Sequence, residues 1–503
     1  MKTELRMRLP AESVAALRRH PLFCQSALSG LRKQKYHDVY FDTPDRLVRA
    51  QGAALWIRGN GARAARTQTL ASGDGRSEWS AKVSGETPDL AALRTAVRKK
   101  DVCGALVRDA AFEKALAPVF SVYIQHTVWA LRLAPGDELE LALDEGFIEC
   151  GTERLAVSEV AIALKAGDPL RLFDFVLALQ QDIALRIGAA STAERGYRLA
   201  ASEPPAAVKA KPLALSKGMT VEQGFQCIAQ NCVEQICANQ DGVAAGRDAE
   251  CVHQMRVGLR RWKSALKSFR KRMQLPEALQ KELDWITGEL GAARDWDVLA
   301  DTTLAAVAGE LAEPGQLAEL RNAAANIARA KHEAAAAAVD SQRYTQLMLN
   351  LSRWIAGAGW REGRAGRKDL AARVTPFARN LLRRDRKRLL LRGKELAGGD
   401  PAARHRVRIA GKKTRYDTEF FQSLFGTAPL RPYIKALQTL QDELGMLNDA
   451  AVAARLLAEL SGAHRNLECG AEFVHGYLAS RIHSELPALL ARWKKLAPVK
   501  LPI

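Results

Sequence analysis

The sequence lacks the features of a membrane-spanning or secreted protein. No apolar run approaches the roughly 18 to 20 residues that a membrane-spanning helix needs. The opening residues, MKTELRMRLP, are charged and contain no apolar segment of the secretory type. Eight cysteines are present without a CxxC pair, and a chain of 503 residues does not need disulfides to hold a core, so we expect reduced thiols. These absences predict a protein of the cytoplasm.

Aromatic residues are also scarce, at 6% of the chain, and no signature of a nucleic-acid-binding fold is present. Both absences argue against specific nucleic-acid binding, since single strands are bound on aromatic stacking platforms. The chain is nevertheless strongly basic, with a formal net charge of +19. Residues 1–200 hold 28 Lys and Arg against 24 Asp and Glu, whereas residues 201–503 hold 47 against 32. The second part therefore has the charge of a domain with an anionic partner, and a charge that serves solubility is the alternative.

The first 200 residues alternate between apolar and polar side chains, as half-buried strands do. This alternation is found at residues 4–9, 54–58, 139–144 and 159–164. Turn sequences separate these segments, at D-T-P-D (42–45), G-N-G (59–61) and P-G-D (135–137). Residues 10–20 and 168–183 have a helical pattern. We expect an α+β domain over residues 1–200, built on an antiparallel sheet that either stays open or closes into a barrel.

A change of composition near residue 200 marks a second domain. Residues 201–218 are rich in Pro, Ala and Lys and lack periodicity, which predicts a linker. Residues 219–497 are rich in Ala, Leu, Arg, Glu and Gln with recurring helical periodicity, interrupted at Pro314-Gly315, 357–366 and 398–401. This pattern predicts an all-helical bundle.

The helical part contains an internal repeat. HQMRVGLRRWK begins at His253 and HRVRIAGKKTR begins at His405, and both fit H-x-x-R-x-x-x-[RK]-[RK]-x-[RK]. Each copy is followed by a related segment, ELGAARDWDVL at 289–299 and ELGMLNDAAVA at 443–453. Two pseudo-symmetric four-helix halves are the simplest explanation.

Each repeat predicts a helix with a row of cations on one face. At about 100° per residue, the basic side chains of the first copy share a stripe about 80° wide. They are His253, Arg256, Arg260, Lys263 and Lys267. The second copy places His405, Arg408, Lys412 and Arg415 in the same way, before Glu419 interrupts the stripe. Because no acid interrupts the first stripe, its charges repel one another unless an anion neutralises them, and Arg can grip phosphate oxygens with two hydrogen bonds.

Several residues near these stripes have two interpretations. His253 and His405 are either further donors to an anion or polar core residues. A third basic run that includes Arg379 and Arg383 either contacts the ligand or forms a solvated face. We expect Asp295 and Asp449 to orient the basic helices in a structural role.

The paired H-x-x-R helices with their RD and ND follow-up segments resemble the CHAD domain, the conserved histidine α-helical domain. The resemblance covers about residues 219–495 and implies a pseudo-twofold helical bundle with a basic central surface or pore. Members of this family bind inorganic polyphosphate, and some associate with polyphosphate granules, so granules are an alternative location. Carried over by motif, the implied binding residues are His253, Arg256, Arg260, Lys263, His405, Arg408, Lys412 and Arg415.

The first domain resembles the CYTH domain, a triphosphate tunnel fold. The similar segments are YFDTPD (40–45), QTL (68–70), RSEW (76–79), LELALDEG (139–146) and AERGYRL (193–199). The family implies an eight-stranded antiparallel β-barrel whose active members hydrolyse triphosphates with Mg²⁺ or Mn²⁺. Residues that could still contact a triphosphate are Arg6, Arg8, Arg58, Lys82 and Arg195, and residues that could still bind a cation are Glu4, Glu140, Asp144 and Glu159.

This chain departs from the CYTH pattern at tunnel-facing positions. The second carboxylate of the entry motif is replaced by Arg6, and the acidic strand at 159–164 keeps one carboxylate of three. Four expected basic positions are occupied by Trp56, Ala71, Gln125-His126 and Thr192. The first hypothesis is therefore a polyphosphate-binding protein that needs no cofactor, with a catalytically impaired CYTH-like domain. The alternative is a Mg²⁺- or Mn²⁺-dependent inorganic triphosphatase whose helical domain positions the substrate.

Overall fold

The computed structural model describes residues 4–28, 32–59, 66–73, 77–246, 248–362 and 367–503. The chain divides into two compact units, Met1–Ala206 and Ala207–Ile503. Asn60 and Gly61 of the predicted G-N-G turn, and Arg76 of the RSEW segment, lie outside the described residues. No helix in the described part of the chain has both the length and the apolar character needed to cross a membrane.

The first unit is built on an antiparallel sheet. Its strands are β1 (Glu4–Arg8), β2 (Arg32–Asp42), β3 (Ala53–Gly59), β4 (Arg66–Ser72), β5 (Glu78–Val83), β6 (Ala117–Ala134), β7 (Asp137–Cys150), β8 (Glu153–Ala166) and β9 (Arg186–Ile187). Its helices are α1 (Val14–Arg19), α2 (Pro21–Ser26), α3 (Leu47–Ala50), α4 (Leu90–Ala96), α5 (Ala110–Ala115), α6 (Pro169–Leu179) and α7 (Thr192–Ala201). The predicted α+β class is confirmed.

The sheet differs from the expected closed eight-stranded barrel. Its nine strands follow the order β5-β4-β3-β2-β6-β7-β8-β1-β9, so that β5 and β9 are the two edges among the described residues. The reason lies at β1, which pairs with β8 along one edge and with the two-residue strand β9 along the other. At Met7 and Arg8, β9 occupies the edge of β1 on which a strand completing a barrel would pair.

The long central strands separate an apolar face from a polar face. In β7, Leu139, Leu141 and Leu143 are buried, whereas Glu140 and Asp144 alternate with them and point to the opposite face. In β8, Val160 and Ile162 are buried in the same way. The apolar face anchors the sheet, and the polar face holds the residues predicted to contact a triphosphate.

The second unit is all-helical, as predicted. Its helices are α8 (Val221–Ala238), α9 (Gln240–Ala244), α10 (Ala249–Phe269), α11 (Glu277–Asp297), α12 (Leu304–Gly309), α13 (Ala318–Val339), α14 (Gln342–Ala356), α15 (Arg367–Ala371), α16 (Val374–Gly393), α17 (Pro401–Phe425), α18 (Thr427–Ala463) and α19 (Glu468–Leu496). Helices α8, α10, α11 and α13 form one four-helix half, and α16, α17, α18 and α19 form the other. Equivalent helices meet between the halves, because α10 packs on α17 and α11 packs on α18.

The first repeat helix, α10, docks by the face that the periodicity predicts. It begins at the N-cap Asp248, whose side chain accepts a hydrogen bond from the Glu250 amide. Met255, Leu259 and Trp262 are fully buried on its apolar side. Full burial of these three side chains contributes several kcal/mol to stability, at about 2–3 kcal/mol each, and fixes which face of α10 carries the cations.

Part of the predicted linker belongs to the helical unit. Residues 207–215, termed the strap, form neither helix nor strand but lie along α8 and α17. Asn239 binds the Val208 backbone twice, through Oδ1 to N (2.8 Å) and Nδ2 to O (2.9 Å). Asn231 donates to the Lys211 carbonyl (2.9 Å), and Leu215 is buried. These contacts fix the strap against the bundle.

Candidate functional site

The two repeat helices line one cavity of about 1110 Å³. Helix α10 contributes Arg256 and Arg260, and α17 contributes Arg408 and Lys412. The repeat thus places equivalent cations from both halves around a shared space. Of the described residues that line it, nine are Lys or Arg and four are Asp or Glu.

Several guanidinium nitrogens at this cavity are buried without a partner. Within the described structure, Nε and Nη1 of Arg256, Nε of Arg260 and Nε of Arg408 have no hydrogen-bond acceptor. An unpaired buried donor costs about 1–3 kcal/mol, and more if it is charged. An anion with several oxygens would satisfy these donors.

Burial and neighbouring cations lower the pKa of basic groups that line the cavity. Burial, reinforced by Arg408 and Arg260, lowers the pKa of Lys412 to about 7. Burial also lowers the pKa of Arg256 and of Arg408, in each case with a further contribution from Arg260. The pKa of His253 is lowered by burial first and by Arg260 next. Burial and like charge therefore disfavour the protonated forms of these groups, and negative charge placed in the cavity would favour them.

Acidic side chains at the cavity orient individual cations. Asp295 Oδ1 lies 3.6 Å from Arg256 Nη2. Arg415 is held more firmly, by Glu419 (3.1 Å) and by Gln441 (2.8 Å). Arg260, Arg408 and Lys412 form no ion pair within the described part of the chain, so no carboxylate pairs directly with the central cations.

The polar face of the first unit carries the residues that could still contact a triphosphate. In its register Glu159 lies between Arg8 and Asp144, and Ala163 lies between Glu4 and Glu140. Directly paired residues share a face of the sheet. Ala163 therefore lies between Glu4 and Glu140, at the position where the acidic strand of the CYTH pattern would place its last carboxylate.

Basic side chains of this unit already hold its carboxylates. The contacts are Glu4 with Arg6 (2.8 Å), Glu140 with Lys165 (2.7 Å), Asp144 with His126 Nδ1 (2.5 Å) and Glu159 with buried Arg195. Arg8 Nε lies 3.9 Å from Glu159. The polar face is thus largely neutralised by the chain itself.

Arg58 is engaged in the same way. It donates two hydrogen bonds to Asp38 (2.8 and 2.7 Å) and lies over the Tyr36 ring at 3.9 Å. Burial raises the pKa of Asp38, and Arg58 opposes that shift. Lys82 is exposed on the edge strand β5. Of the predicted phosphate contacts in this unit, Arg58, Arg195 and Arg8 therefore have carboxylates beside them, and Arg6 pairs with Glu4.

The carboxylates of this face do not fit a hard cation. Mg²⁺ and Mn²⁺ bind through clustered oxygen ligands, yet the described residues contain no group of three His, Cys, Asp or Glu side chains that could hold a metal ion. Asp144 and Glu159 are paired in the sheet register, but their carboxylates already bind His126 and Arg195, respectively. Glu4 and Glu140 pair with other bases.

Comparison with known proteins assigns both units. The family model of the CYTH domain matches residues 1–197, and the family model of the CHAD domain matches residues 227–458. The chain is a CYTH–CHAD protein.

Two relatives illustrate the assignment. The crystal structure of the CHAD domain from the plant Ricinus communis is 38% identical, with a TM-score of 0.53, and the match covers 59% of this chain and 99% of that chain. An inorganic triphosphatase of Haemophilus influenzae is 28% identical over 172 residues. That match covers 33% of this chain and 46% of the triphosphatase, so this chain spans about half of its length.

The CHAD cavity holds some of the predicted binding residues and not others. His253, Arg256, Arg260, Arg408, Lys412 and Arg415 line it. Lys263 instead binds Asp284 (2.8 Å), and Lys267 lines a separate groove at the end of α10. His405 is exposed and is not among the described lining residues, so the two histidines are not equivalent.

The third basic run also lies away from the CHAD cavity. Arg379 lies over the Phe425 ring, with 5.6 Å between its guanidinium carbon and the ring centre. Arg383 is exposed in another groove that also includes Lys387 and Lys500. Helical periodicity predicts which face of a helix a residue lies on, but it does not predict which neighbouring helices that face contacts.

Sequence reasoning missed four cations among the described residues that line the CHAD cavity. Arg294 on α11 lines it beside Asp295, and the RD follow-up segment was the available signal. Lys209 and Lys211 of the strap also line it, although their segment has no periodicity from which to infer a surface. Arg261, the second cation of the first motif, points inward and bonds Gln235 (2.8 Å) and Asn231 (2.7 Å).

Proposed function

We propose that the CHAD domain binds inorganic polyphosphate in the cavity between α10 and α17. The observation that carries the proposal is the buried, unpartnered guanidinium nitrogens of Arg256, Arg260 and Arg408 around one space. The repeat supplies them from both halves, which suits a ligand that repeats the same group along a chain.

The types of side chain that line the cavity favour a phosphate ligand over a carboxylate or a nucleic-acid base. Arg binds phosphate through parallel hydrogen bonds, and Lys412 adds a point charge. Tyr416 is the only Phe, Tyr or Trp among the described lining residues, so the cavity offers little surface on which bases could stack. A phosphate chain without bases is the polyanion that best matches a cavity rich in Arg and Lys and poor in aromatic side chains.

Binding to polyphosphate tests the proposal directly. In a titration with long-chain polyphosphate, saturable binding should weaken steeply with salt, and about six cation contacts would give a log–log slope of roughly −4 to −5. The double variant Arg260→Gln/Arg408→Gln should weaken binding by about a hundredfold or more, since each of the two lost charged contacts is worth about 1.5 kcal/mol or more.

A matched control removes two charges elsewhere. Arg329→Gln/Lys331→Gln alters exposed residues of α13 that line none of the described cavities and should bind like the wild type. The absence of saturable binding to wild-type protein at low salt would contradict the proposal, as would equal losses in both double variants.

We further propose that the CYTH domain is catalytically impaired and serves as a scaffold. The pairing of Glu4, Glu140, Asp144 and Glu159 with bases supports this, as does Ala163 in the row between Glu4 and Glu140. Incubation with tripolyphosphate and Mg²⁺ or Mn²⁺ should release no phosphate above a buffer control. Metal-dependent release that Glu4→Ala abolishes would instead favour the triphosphatase alternative, to which the Haemophilus influenzae relative points.

A further inference from the structure

A second basic groove of the CHAD domain lies outside the cavity described above. It measures about 820 Å³ and is lined by the C-terminal end of α10 and by α16 and α17. Nine of its described lining residues are Lys or Arg, and none is Asp or Glu. It shares no described lining residue with the first cavity.

The pseudo-symmetry of the bundle relates this groove to the surface that holds the strap. Helices α8 and α16 begin at Val221 and Val374 and occupy the same position in their halves. Aligning these two residues places Asn231, Gln235 and Asn239 at the positions of Arg384, Arg388 and Arg392. All three arginines line the groove.

The exchange replaces neutral side chains by cations. In the first half, Asn231 and Asn239 bind the backbone of the strap, a neutral partner that offers both N–H and C=O groups. In the second half, arginines stand at these positions, and an arginine offers donors and charge but no acceptor. They lie four residues apart, or about 6 Å along the helix axis, on one face of α16. An anionic ligand is the partner that such a row fits.

Few acidic side chains near the groove form ion pairs with its Lys and Arg residues. Arg384 lies 3.6 Å from Asp385, and Lys413 binds Asp385 (2.7 Å) and also Asp417. Arg272 lies 3.5 Å from Asp369. Lys267 and Arg388 are exposed and form no ion pair within the described structure.

We propose that this groove is a second, separate binding site for phosphate chains. The identity of the ligand as inorganic polyphosphate rests on the proposed function, whereas the anionic character of the ligand rests on the groove alone. Two sites per protein would let one molecule bind two chains, or two segments of a long chain.

The experiment counts sites by calorimetry, titrating a short linear polyphosphate into the full-length protein at low salt without divalent metal. The groove variant is Arg384→Gln/Arg388→Gln/Arg392→Gln. Its control is Arg383→Gln/Lys387→Gln/Lys394→Gln, which removes the same charge from exposed residues on an adjacent face of α16 and in the turn after it. The cavity variant is Arg260→Gln/Arg408→Gln, and thermal melting verifies that each variant is folded.

The groove variant should lose one class of site and keep the cavity class at wild-type affinity. The cavity variant should show the reverse, and the control should keep both. If the groove variant and its control give the same isotherm while the cavity variant loses binding, the groove proposal is overturned and the proposed function stands. If the wild type binds no polyphosphate, both proposals fail. Displacement from the groove by a single-stranded oligonucleotide at lower charge concentration than polyphosphate would overturn the ligand class.

Discussion

If the CHAD cavity binds polyphosphate as proposed, Lys412 should make the affinity depend on pH. Its pKa in the free protein is about 7, because burial and the neighbouring Arg408 and Arg260 disfavour the ammonium form. A bound phosphate chain adds negative charge beside it and raises that pKa towards the ordinary value of about 10.4. The charged form therefore binds more tightly than the neutral form, and binding takes up a proton.

The magnitude follows from the fraction of Lys412 that is charged. That fraction is about one half at pH 7 and about 3% at pH 8.5, so affinity should fall roughly 15-fold across this interval if the bound pKa lies above it. Burial and Arg260 lower the pKa of His253 in the free protein, which moves its titration away from this interval. Long chains are the appropriate ligand, because their terminal phosphates are a small fraction of the charge.

The assay is a series of titrations at constant ionic strength between pH 7 and pH 8.5. Calorimetry in buffers of different ionisation enthalpy should show uptake of nearly one proton at pH 8. Lys412→Arg keeps the charge at every pH of the series, so its affinity should be nearly constant. Equal pH dependence in the wild type and Lys412→Arg would refute the reasoning.

Two further predictions use the same cavity. The pKa of Lys412 is lower in the folded protein than in the unfolded chain. The unfolded chain therefore binds more protons, and the free energy of unfolding should rise from pH 7 towards pH 10. In chemical denaturation, Lys412→Met should raise the free energy of unfolding at pH 7 by up to about 4 kcal/mol and flatten its rise with pH. Gly291→Ala would bring a Cβ within 2.9 Å of Arg256 Nη1, so polyphosphate affinity should fall several-fold, up to about tenfold, although alanine stabilises a helix by roughly 0.5–1 kcal/mol. Gly288→Ala, at an exposed position of the same helix with nothing within 4 Å, is the control and should bind normally; equal affinities for the two alanine variants would contradict the role of Arg256.

The repeat predicted much of the helical fold from the sequence, because a 3.6-residue period fixes one face of a helix. Met255, Leu259 and Trp262 are buried as expected, and this places Arg256 and Arg260 on the side that faces the cavity. The same reasoning placed Arg408 and Lys412 on the equivalent face of α17.

The periodicity could not show what lies opposite each cation. Lys263 belongs to the same stripe as Arg260, but Asp284 of the neighbouring helix binds it. Lys267 lies near the end of α10, where another groove begins. In the first unit the alternation located β1, β3, β7 and β8 but not β2, β4, β5 and β6. The strand β9, which pairs with β1, has only two residues and leaves no pattern.

The unpartnered guanidinium nitrogens of the cavity have a consequence for the amount of folded protein. A ligand that binds only the native state stabilises it by RT ln(1 + [L]/Kd), which is about 2.7 kcal/mol at a hundredfold excess over Kd. If polyphosphate binds as proposed, a chain that folds around mutually repelling cations should be most resistant to heat and proteolysis where that polymer is abundant. Its lifetime in the cell would report how much of that polymer is present.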